Sequence, residues 1–318
     1  MKDYQYLFGP VPSRRLGRSL GVDLVPFKTC NFDCIFCQLG RTTDKTTARK
    51  EYVPVDAVIE ELEAWVKSGG HADYITLSGS GEPTLHSRFG RIIECAHQIT
   101  RIPVAVLTNG SLLGEPEVRK QAATADVVKA SLSAWDQSSL EHINRPCSGI
   151  EFKQLLEGQR LFRNCFQGEL WMEVFLVWGT NTTAKDIARI AELVKEIGPD
   201  RVQLNTAVRP SCEEYAFAVP QKLMETMAGF FDPRAEVIAE YSTDLAARTR
   251  AGEKEILGML QRRPCTLDQV CEAFNLHRNE GVKYLGKLTR TGKVRENRKD
   301  NEIYYFDDRE KDRPHANL

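Results

Sequence analysis

The sequence has no stretch approaching the roughly 20 apolar residues that a membrane-spanning helix needs. Its opening, Met1-Lys-Asp-Tyr-Gln-Tyr, has no apolar core of the signal-peptide kind. No membrane partner is expected, and the chain reads as cytoplasmic. A surplus of one charge is also missing: 43 Lys and Arg stand against 44 Asp and Glu, a formal net charge of −1. That excludes a global field drawing the protein to nucleic acid or membrane and leaves only local patches for such contacts. No internal repeat is visible.

The 318 residues are ordinary globular material, 42% apolar and 27% charged, with length for about two domains of roughly 150 residues each. Nine cysteines would suit a disulfide scaffold in a small secreted chain, but a chain able to bury a core has no such need. Cys95, Cys147, Cys165, Cys212, Cys265 and Cys271 stand singly, whereas Cys30, Cys34 and Cys37 crowd into eight residues. In a reducing compartment such a cluster more often binds metal or does chemistry than forms a disulfide.

From residue 20 to 207, β-rich runs alternate with amphipathic stretches. Candidate strands are Leu20–Val25, Tyr74–Ser78, Val104–Thr108, Val127–Ser133, Trp171–Val177 and Arg201–Thr206. Three apolar stripes step by three and four residues, as helices with one buried face do: Val55, Val58, Ile59, Leu62 and Trp65; Phe89, Ile92, Ile93 and Ala96; Ile187, Ile190, Ala191 and Val194. This alternation implies parallel strands joined by helical crossovers, hence an α/β fold. Six units fit a partial (β/α)6 barrel better than a closed eightfold one. Loops after the carboxyl ends of such strands carry the chemistry. The cysteines follow strand one there, Ser78-Gly-Ser-Gly-Glu-Pro follows strand two, and Thr108-Asn-Gly closes strand three.

Residues 1–243 are expected to form the barrel with its extensions. The charged, alanine-rich stretch 244–252 reads as a linker, and 253–318 as a second unit with a tail. Ile256, Leu257 and Leu260 mark one helix of that unit, Leu267, Val270 and Phe274 a second, and Val282, Leu285 and Leu288 a third. Gly292 stops the third helix, and Lys293–Phe306 reads as a hairpin turning at Asp300-Asn301. Three short helices and a hairpin make a winged helix-turn-helix pattern.

The cysteine spacing, Cys30-x3-Cys34-x2-Cys37, offers three thiolates with no fourth nearby. A structural zinc site wants four ligands, and His71 is too distant in sequence to be assumed a partner. An iron–sulfur cluster on three cysteines leaves one iron open to a non-protein ligand, unlike electron-transfer clusters with four. On the active face of a barrel, an open iron would meet a substrate.

Cys-x3-Cys-x-aromatic-Cys, with Phe36 before the last cysteine, resembles the signature of radical S-adenosylmethionine enzymes, and the resemblance covers about residues 18–210. It implies a [4Fe–4S] cluster on Cys30, Cys34 and Cys37, with the open iron chelating the amino and carboxylate groups of S-adenosylmethionine and Phe36 beside the adenine. It also implies reductive cleavage to a 5′-deoxyadenosyl radical, which abstracts hydrogen from a substrate, and a reducing electron donor as partner. Gly79-Ser80-Gly81-Glu82 matches the family's glycine-glycine-glutamate loop. Its carboxylate would repel phosphate and suits an α-ammonium group.

Other positions follow from alternation. Lys129, Ser131 and Ser133 share one face of strand four, and Val128, Ala130 and Leu132 the other. The family's polar contacts at this strand make Ser131 and Ser133 candidates for the cofactor, with Asn109, Asn181 and Asn205. Thr182 could reach the adenosine alongside Asn181. Glu173, and Gln203 with Asn205, are expected to point inward. Lys129 and Glu173 are the candidate catalytic pair. An inward lysine can form a Schiff base with a carbonyl substrate; the alternative is a buried ion pair with Glu173. Cys212 could donate hydrogen to a radical or be incidental, as could Cys147.

Phe8-Gly-Pro-Val-Pro-Ser-Arg-Arg-Leu-Gly-Arg and Leu24-Val-Pro-Phe-Lys-Thr-Cys30, with Ile143-Asn-Arg-Pro and Val202-Gln-Leu-Asn-Thr, narrow the resemblance. They look like a poorly characterised group of iron–sulfur oxidoreductases related to wyosine-forming tRNA enzymes. A second cysteine triplet and an added flavodoxin-like domain, which those enzymes use, are missing, so their reaction does not carry over. Arg14, Arg15 and Arg18 could bind an anionic substrate or the cofactor carboxylate, or form a solvated charge cluster. In the C-terminal unit, Arg278, Lys283, Lys287, Arg290, Lys293, Arg295, Arg298 and Lys299 face only Glu280, Glu296 and Asp300. This local positive patch makes tRNA or another nucleic acid a candidate partner, with protein docking as the alternative. The rival from a different class is an iron–sulfur redox sensor with a DNA-binding winged helix; a zinc-bound structural protein is a third reading.

Overall fold

A computed structural model describes residues 4–238, 252–299 and 302–307 of the chain. It divides into two compact units, Met1–Glu240 and Tyr241–Leu318. The expected linker up to residue 251, the hairpin turn at Asp300-Asn301 and the tail from 308 lie outside the described residues.

The first unit opens with β1 (Leu7–Ser13) and β2 (Gly17–Val22), then the two-residue strands β3 (Thr29–Cys30) and β4 (Asp44–Lys45). Strands and helices then alternate: α1 (Val55–Lys67), β5 (Tyr74–Leu77), α2 (Phe89–Ile99), β6 (Val104–Leu107), α3 (Pro116–Ala122) and β7 (Val127–Ser131). Two helices, α4 (Gln137–Ile143) and α5 (Phe152–Cys165), lead to β8 (Glu169–Leu176), α6 (Ala184–Ile197), β9 (Arg201–Thr206), α7 (Gln221–Ala228) and β10 (Glu236–Val237). The sheet order is β1-β2-β5-β6-β7-β8-β9-β10. β2 and β5 to β10 run parallel; β1 pairs antiparallel with β2 at one edge. This is the α/β fold with a parallel sheet that the alternation implied.

The helices form where their apolar stripes can be buried. α2 hides Phe89, Ile92, Ile93 and Ala96 completely, and each large side chain so buried contributes roughly 1.5–3 kcal/mol. α6 starts at Thr183, whose hydroxyl accepts from Asp186 N at 3.2 Å, and ends at Gly198 in the left-handed region, φ 72°. On the strands, Ile75, Val106, Val128 and Ala130 are completely buried in the main apolar core with the helices. Lys129, Glu173, Gln203 and Asn205 alternate with apolar core residues of their own strands (Val128 and Ala130, Met172 and Val174, Leu204) and so share the other face of the sheet, the inward face of the expected barrel.

The first strand differs from expectation. It begins at Gly17, and an unforeseen strand, β1, precedes it. Pro10 and Pro12 disguise β1 as a loop; an edge strand tolerates proline, and the register shifts between Phe8 and Val11. Gly21 makes the pairing fit, because a Cβ there would stand 1.9 Å from the Phe8 ring.

The second unit holds α8 (Glu253–Leu260), β11 (Cys265–Thr266), α9 (Leu267–Phe274), α10 (Arg278–Arg290), β12 (Val294–Lys299) and β13 (Glu302–Asp307), with the strands antiparallel in the order β11-β13-β12. Val282 is 51% exposed, contrary to its expected core place. α10 instead turns Gly281 to α9, where a Cβ would meet Cys271 Sγ at 2.4 Å, together with Leu285 and Leu288. Among the described residues no helix is long and apolar enough to cross a membrane.

Candidate active site

The cysteine loop leaves the carboxyl end of β2 and is locked onto the glycine loop that leaves β5. Lys28, at φ 62°, donates its backbone N–H to Ser80 O at 2.7 Å, and Glu82 N–H donates to Thr29 O at 3.2 Å. The approach is so close that a Cβ on Gly81 would lie 1.8 Å from Thr29 O. Gly79 adopts φ +139°, and a Cβ there would press on Asp23. Asp23 accepts from Ser80 N–H at 3.0 Å and from its hydroxyl at 2.5 Å. The residue types of this loop are thus set by packing as well as by chemistry.

Cys30, Cys34 and Cys37 are half-buried free thiols. Each sulfur faces an N–H donor: Phe32 N at 3.4 Å from Cys30, Asn144 Nδ2 at 3.3 Å from Cys34, and Lys28 Nζ at 3.3 Å from Cys37. Asn109 Nδ2 also lies 3.9 Å from Cys30 Sγ. Burial pushes the Cys34 thiol up to about 12 and raises Cys30 well above the usual range. A thiolate at either position therefore needs a compensating cation, which bound iron supplies. Among the described residues no three Cys, His, Asp or Glu side chains converge on a single ion. A cluster asks for something different, because each thiolate serves its own iron. Thiolate donors with surrounding N–H groups suit iron–sulfur ligation.

The loop is braced from outside. Asp33 Oδ1 accepts from Thr42 N–H at 2.6 Å. Glu213 receives Arg145 at 2.5 Å and Arg41 at 2.7 Å. Cys212 lies beside this brace, its Sγ 3.8 Å from Glu213 Oε1. Burial, with Asp33 and Glu213 nearby, holds its thiol up at about 11.

Glu82 is buried, and its carboxylate accepts four hydrogen bonds, three of them on Oε1. Oε1 accepts from Thr84 N–H at 3.0 Å, Thr84 Oγ1 at 2.5 Å and Thr108 Oγ1 at 2.7 Å, while Oε2 accepts from Asn109 N–H at 2.8 Å. Its side chain ties the ends of β5 and β6 together, with a single hydrogen bond on Oε2. Asn109 also bonds Asn31 Oδ1 at 2.7 Å and receives Ser111.

Phe36 stacks on Phe175, ring centroids 4.0 Å apart and 10° from parallel. Ser131 is half-buried and faces the lumen across from Glu173. Ser133 lies past the end of β7, where its hydroxyl accepts from Phe175 N–H at 3.0 Å. Asn181 is completely buried; it accepts from Val177 N–H and donates to Ser133 O and Phe175 O. That amide clamps two strand ends, both of its N–H groups being taken by backbone carbonyls.

Deeper in the lumen, Lys129 Nζ donates to Glu173 Oε2 at 2.7 Å, so the ion-pair alternative is the arrangement found. Arg15 also bonds Glu173 Oε1, and Asn205 Nδ2 donates to that oxygen at 3.2 Å. The two cations pull the Glu173 carboxyl down to about 2 against the effect of burial, whereas burial, with Arg15 close by, lowers Lys129 to about 8. Arg14 Nη2 donates to Asn205 Oδ1 at 3.4 Å. Arg18 departs from its neighbours and pairs with Asp73 at 3.1 Å near the surface. Sequence reasoning overlooks Lys28, Asn31, Asn144 and Asp23. Asn144 sits inside the Ile143-Asn-Arg-Pro motif, and Lys28 lies two residues before the first cysteine, which is its only signal.

The barrel and its cysteine loop define a class. The chain belongs to the radical S-adenosylmethionine superfamily, whose family model matches residues 24–194. It is therefore an enzyme whose cofactors are a [4Fe–4S] cluster and S-adenosylmethionine. More particularly, it is 30% identical over 309 residues to the UPF0026 protein MJ1312 of Methanocaldococcus jannaschii, covering 94% of this chain and 95% of that protein. It is 38% identical over 294 residues to a protein named GTPase Obg from Brachyspira hyodysenteriae, covering 91% of this chain but only 43% of that one. The solved structure of Streptococcus suis SuiB bound to S-adenosylmethionine shares the fold at a TM-score of 0.51 and 14% identity, over 72% of this chain and 53% of that one.

Proposed function

We propose that Cys30, Cys34 and Cys37 hold the [4Fe–4S] cluster and that the adjoining Gly79–Gly81 backbone and Asn109 receive the methionine end of S-adenosylmethionine. What carries this reading is the docking of the cysteine loop on the glycine loop through Lys28, Ser80, Thr29 and Glu82. When bound, this pair of cofactors supplies a 5′-deoxyadenosyl radical that abstracts hydrogen from a substrate. The chain's own residues prepare the place. Glu82 holds the glycine loop rigid, Phe36 on Phe175 gives a flat apolar wall suited to adenine, and Ser131 and Asn205 offer polar contacts in the lumen. Ser133 and Asn181 act as positioning residues. The test is anaerobic reconstitution followed by dithionite, S-adenosylmethionine and an assay for 5′-deoxyadenosine. Wild type should form it and Cys34→Ala should not. A full four-iron cluster that yields no product would sink reductive cleavage and favour the iron–sulfur sensor.

The C-terminal unit is proposed to be a winged helix that contacts nucleic acid, with tRNA the first candidate. Its three helices and antiparallel hairpin support the first part, and exposed Lys283, Arg290 and Arg298 on α10 and β12 the second. The patch is weaker than its count of basic residues suggests, because Arg278 pairs with Asp268 while Lys287 and Lys293 pair with Glu253. Retention of the full chain on immobilised tRNA should fall with salt and fall further in Lys283→Glu/Arg290→Glu. Equal retention of variant and wild type would leave this face without a nucleic-acid role.

A further inference from the structure

Lys129 and Arg15 converge on one carboxylate, Glu173, where Lys129 is 6% and Glu173 9% exposed, so this pair of cations carries one positive charge more than the carboxylate it shares, with Arg14 beside them on Asn205. The surrounding groups are incompletely satisfied. Arg15 Nε and the side-chain oxygen of Gln203 are buried without a hydrogen-bond partner, and Lys129 donates to Glu173 alone. Gln203 stands opposite Glu173 in the register of β8 and β9; its orphan is an acceptor, so the donors open to an anion are those of Arg15 and Lys129. Burying an unbalanced charge with open donors is costly unless something supplies the opposite charge. Inward-facing Tyr74, Leu107 and Ser131 are only half-buried, whereas their outward neighbours Ile75, Val106 and Val128 are sealed. This face of the sheet is therefore less tightly sealed than the one packed under the helices.

We propose that this site binds the oxyanion of the substrate, a carboxylate or a phosphate, between Arg15 and Lys129. Glu173 is the counter-charge that holds the two cations apart and in place. A guanidinium beside an ammonium, each with spare N–H groups, is suited to oxygen anions of either kind. The cofactor carboxylate is not the intended guest. Arg15 belongs to the turn between β1 and β2, at the opposite end of β2 from the cysteine loop, whereas the resemblance puts that carboxylate on the cluster iron. The inference rests on the reading of the lumen as a substrate chamber and names the class of molecule it admits.

Calorimetric titration of the full chain, reconstituted anaerobically, with inorganic phosphate and separately with acetate tests it and separates the two sources of oxyanion. One saturable site for at least one of them is expected. Arg15→Met and Lys129→Met, which cancel the excess charge, should each weaken it by roughly tenfold or more. Glu173→Gln, which doubles the excess, should tighten it by roughly tenfold. Lys129→Met/Glu173→Gln keeps a single excess charge on Arg15 and should recover binding relative to Lys129→Met. Far-UV circular dichroism checks that each variant is folded. No saturable binding of either anion, or weakening by Glu173→Gln, overturns the proposal. Cys34→Ala should bind the anion as wild type does, so failure of the cluster assignment and failure of the anion site are separately visible.

Discussion

At the cysteine end of the barrel the polar side chains satisfy one another: Glu82 takes four hydrogen bonds, Asp23 takes two from Ser80, and Asn31, Asn109 and Ser111 close a small ring. In the deeper lumen the balance is incomplete, with two cations on one carboxylate and a buried donor, Arg15 Nε, unused. The first region is a rigid frame whose buried carboxylates, Glu82 and Asp23, are taken by N–H and O–H donors of the frame itself. The second presents charge and waits for its complement, as a site for a variable guest would.

The largest expected break in this contrast is at the frame. In Gly81→Ala the new methyl meets the Thr29 carbonyl at 1.8 Å, a backbone atom that cannot rotate aside. The cysteine loop must lift, with a stability cost of about 3 kcal/mol. Iron content after reconstitution should fall with the melting temperature. If Gly81→Ala loads iron and melts like wild type, the two loops are not mechanically coupled.

The same contrast explains which parts of the molecule are legible in its amino-acid sequence. The frame is written in short segments, 30–37 and 79–82, where spacing alone identifies the residue types, and the strands are recognisable because one face of each is sealed against helices. The lumen is assembled from β7, β8, β9 and the turn before β2. Alternation correctly turns Lys129 and Glu173 inward, but no local pattern says that Arg15 joins them while Arg18, three residues on, pairs with Asp73. Asn181 and Glu82 show a related gap: polarity near a strand end identifies a residue that needs partners without naming them, and backbone and neighbours are among those found here. Val282 misleads through Gly281, since periodicity counts large apolar groups and misses a face defined by their absence.

A smaller effect probes the electrostatics of the lumen. Lys129 titrates near 8 in the folded chain against 10.5 ordinarily. Between those values the unfolded chain holds a proton that the folded one has released, so stability rises with pH through that window and the penalty is full below it. The gain reaches about 3 kcal/mol at most. In cluster-free protein the raised thiols Cys30 and Cys34 act oppositely, because the unfolded chain ionises them first as pH climbs. They are common to wild type and Lys129→Met, so the difference between the two denaturation curves from pH 7 to 10.5 isolates Lys129. Parallel curves would mean that Lys129 keeps an ordinary affinity for its proton.

The finest test sets one cation from each region against the other. Lys28 Nζ lies 3.3 Å from Cys37 Sγ and also bonds the Gly40 carbonyl; Arg15 lies in the lumen on Glu173. A positive charge beside a cluster thiolate favours the reduced, more negative cluster. Lys28→Met should therefore shift the midpoint potential in the negative direction, read by reductive titration under electron paramagnetic resonance, while phosphate or acetate affinity stays unchanged. Arg15→Met should do the reverse, losing the anion and leaving the potential where it was. An unmoved potential in Lys28→Met would reduce Lys28 to a tether on Gly40. A potential that moves with Arg15→Met would mean that the two regions share one electrostatic field, and the division between a frame and a chamber would have to be abandoned.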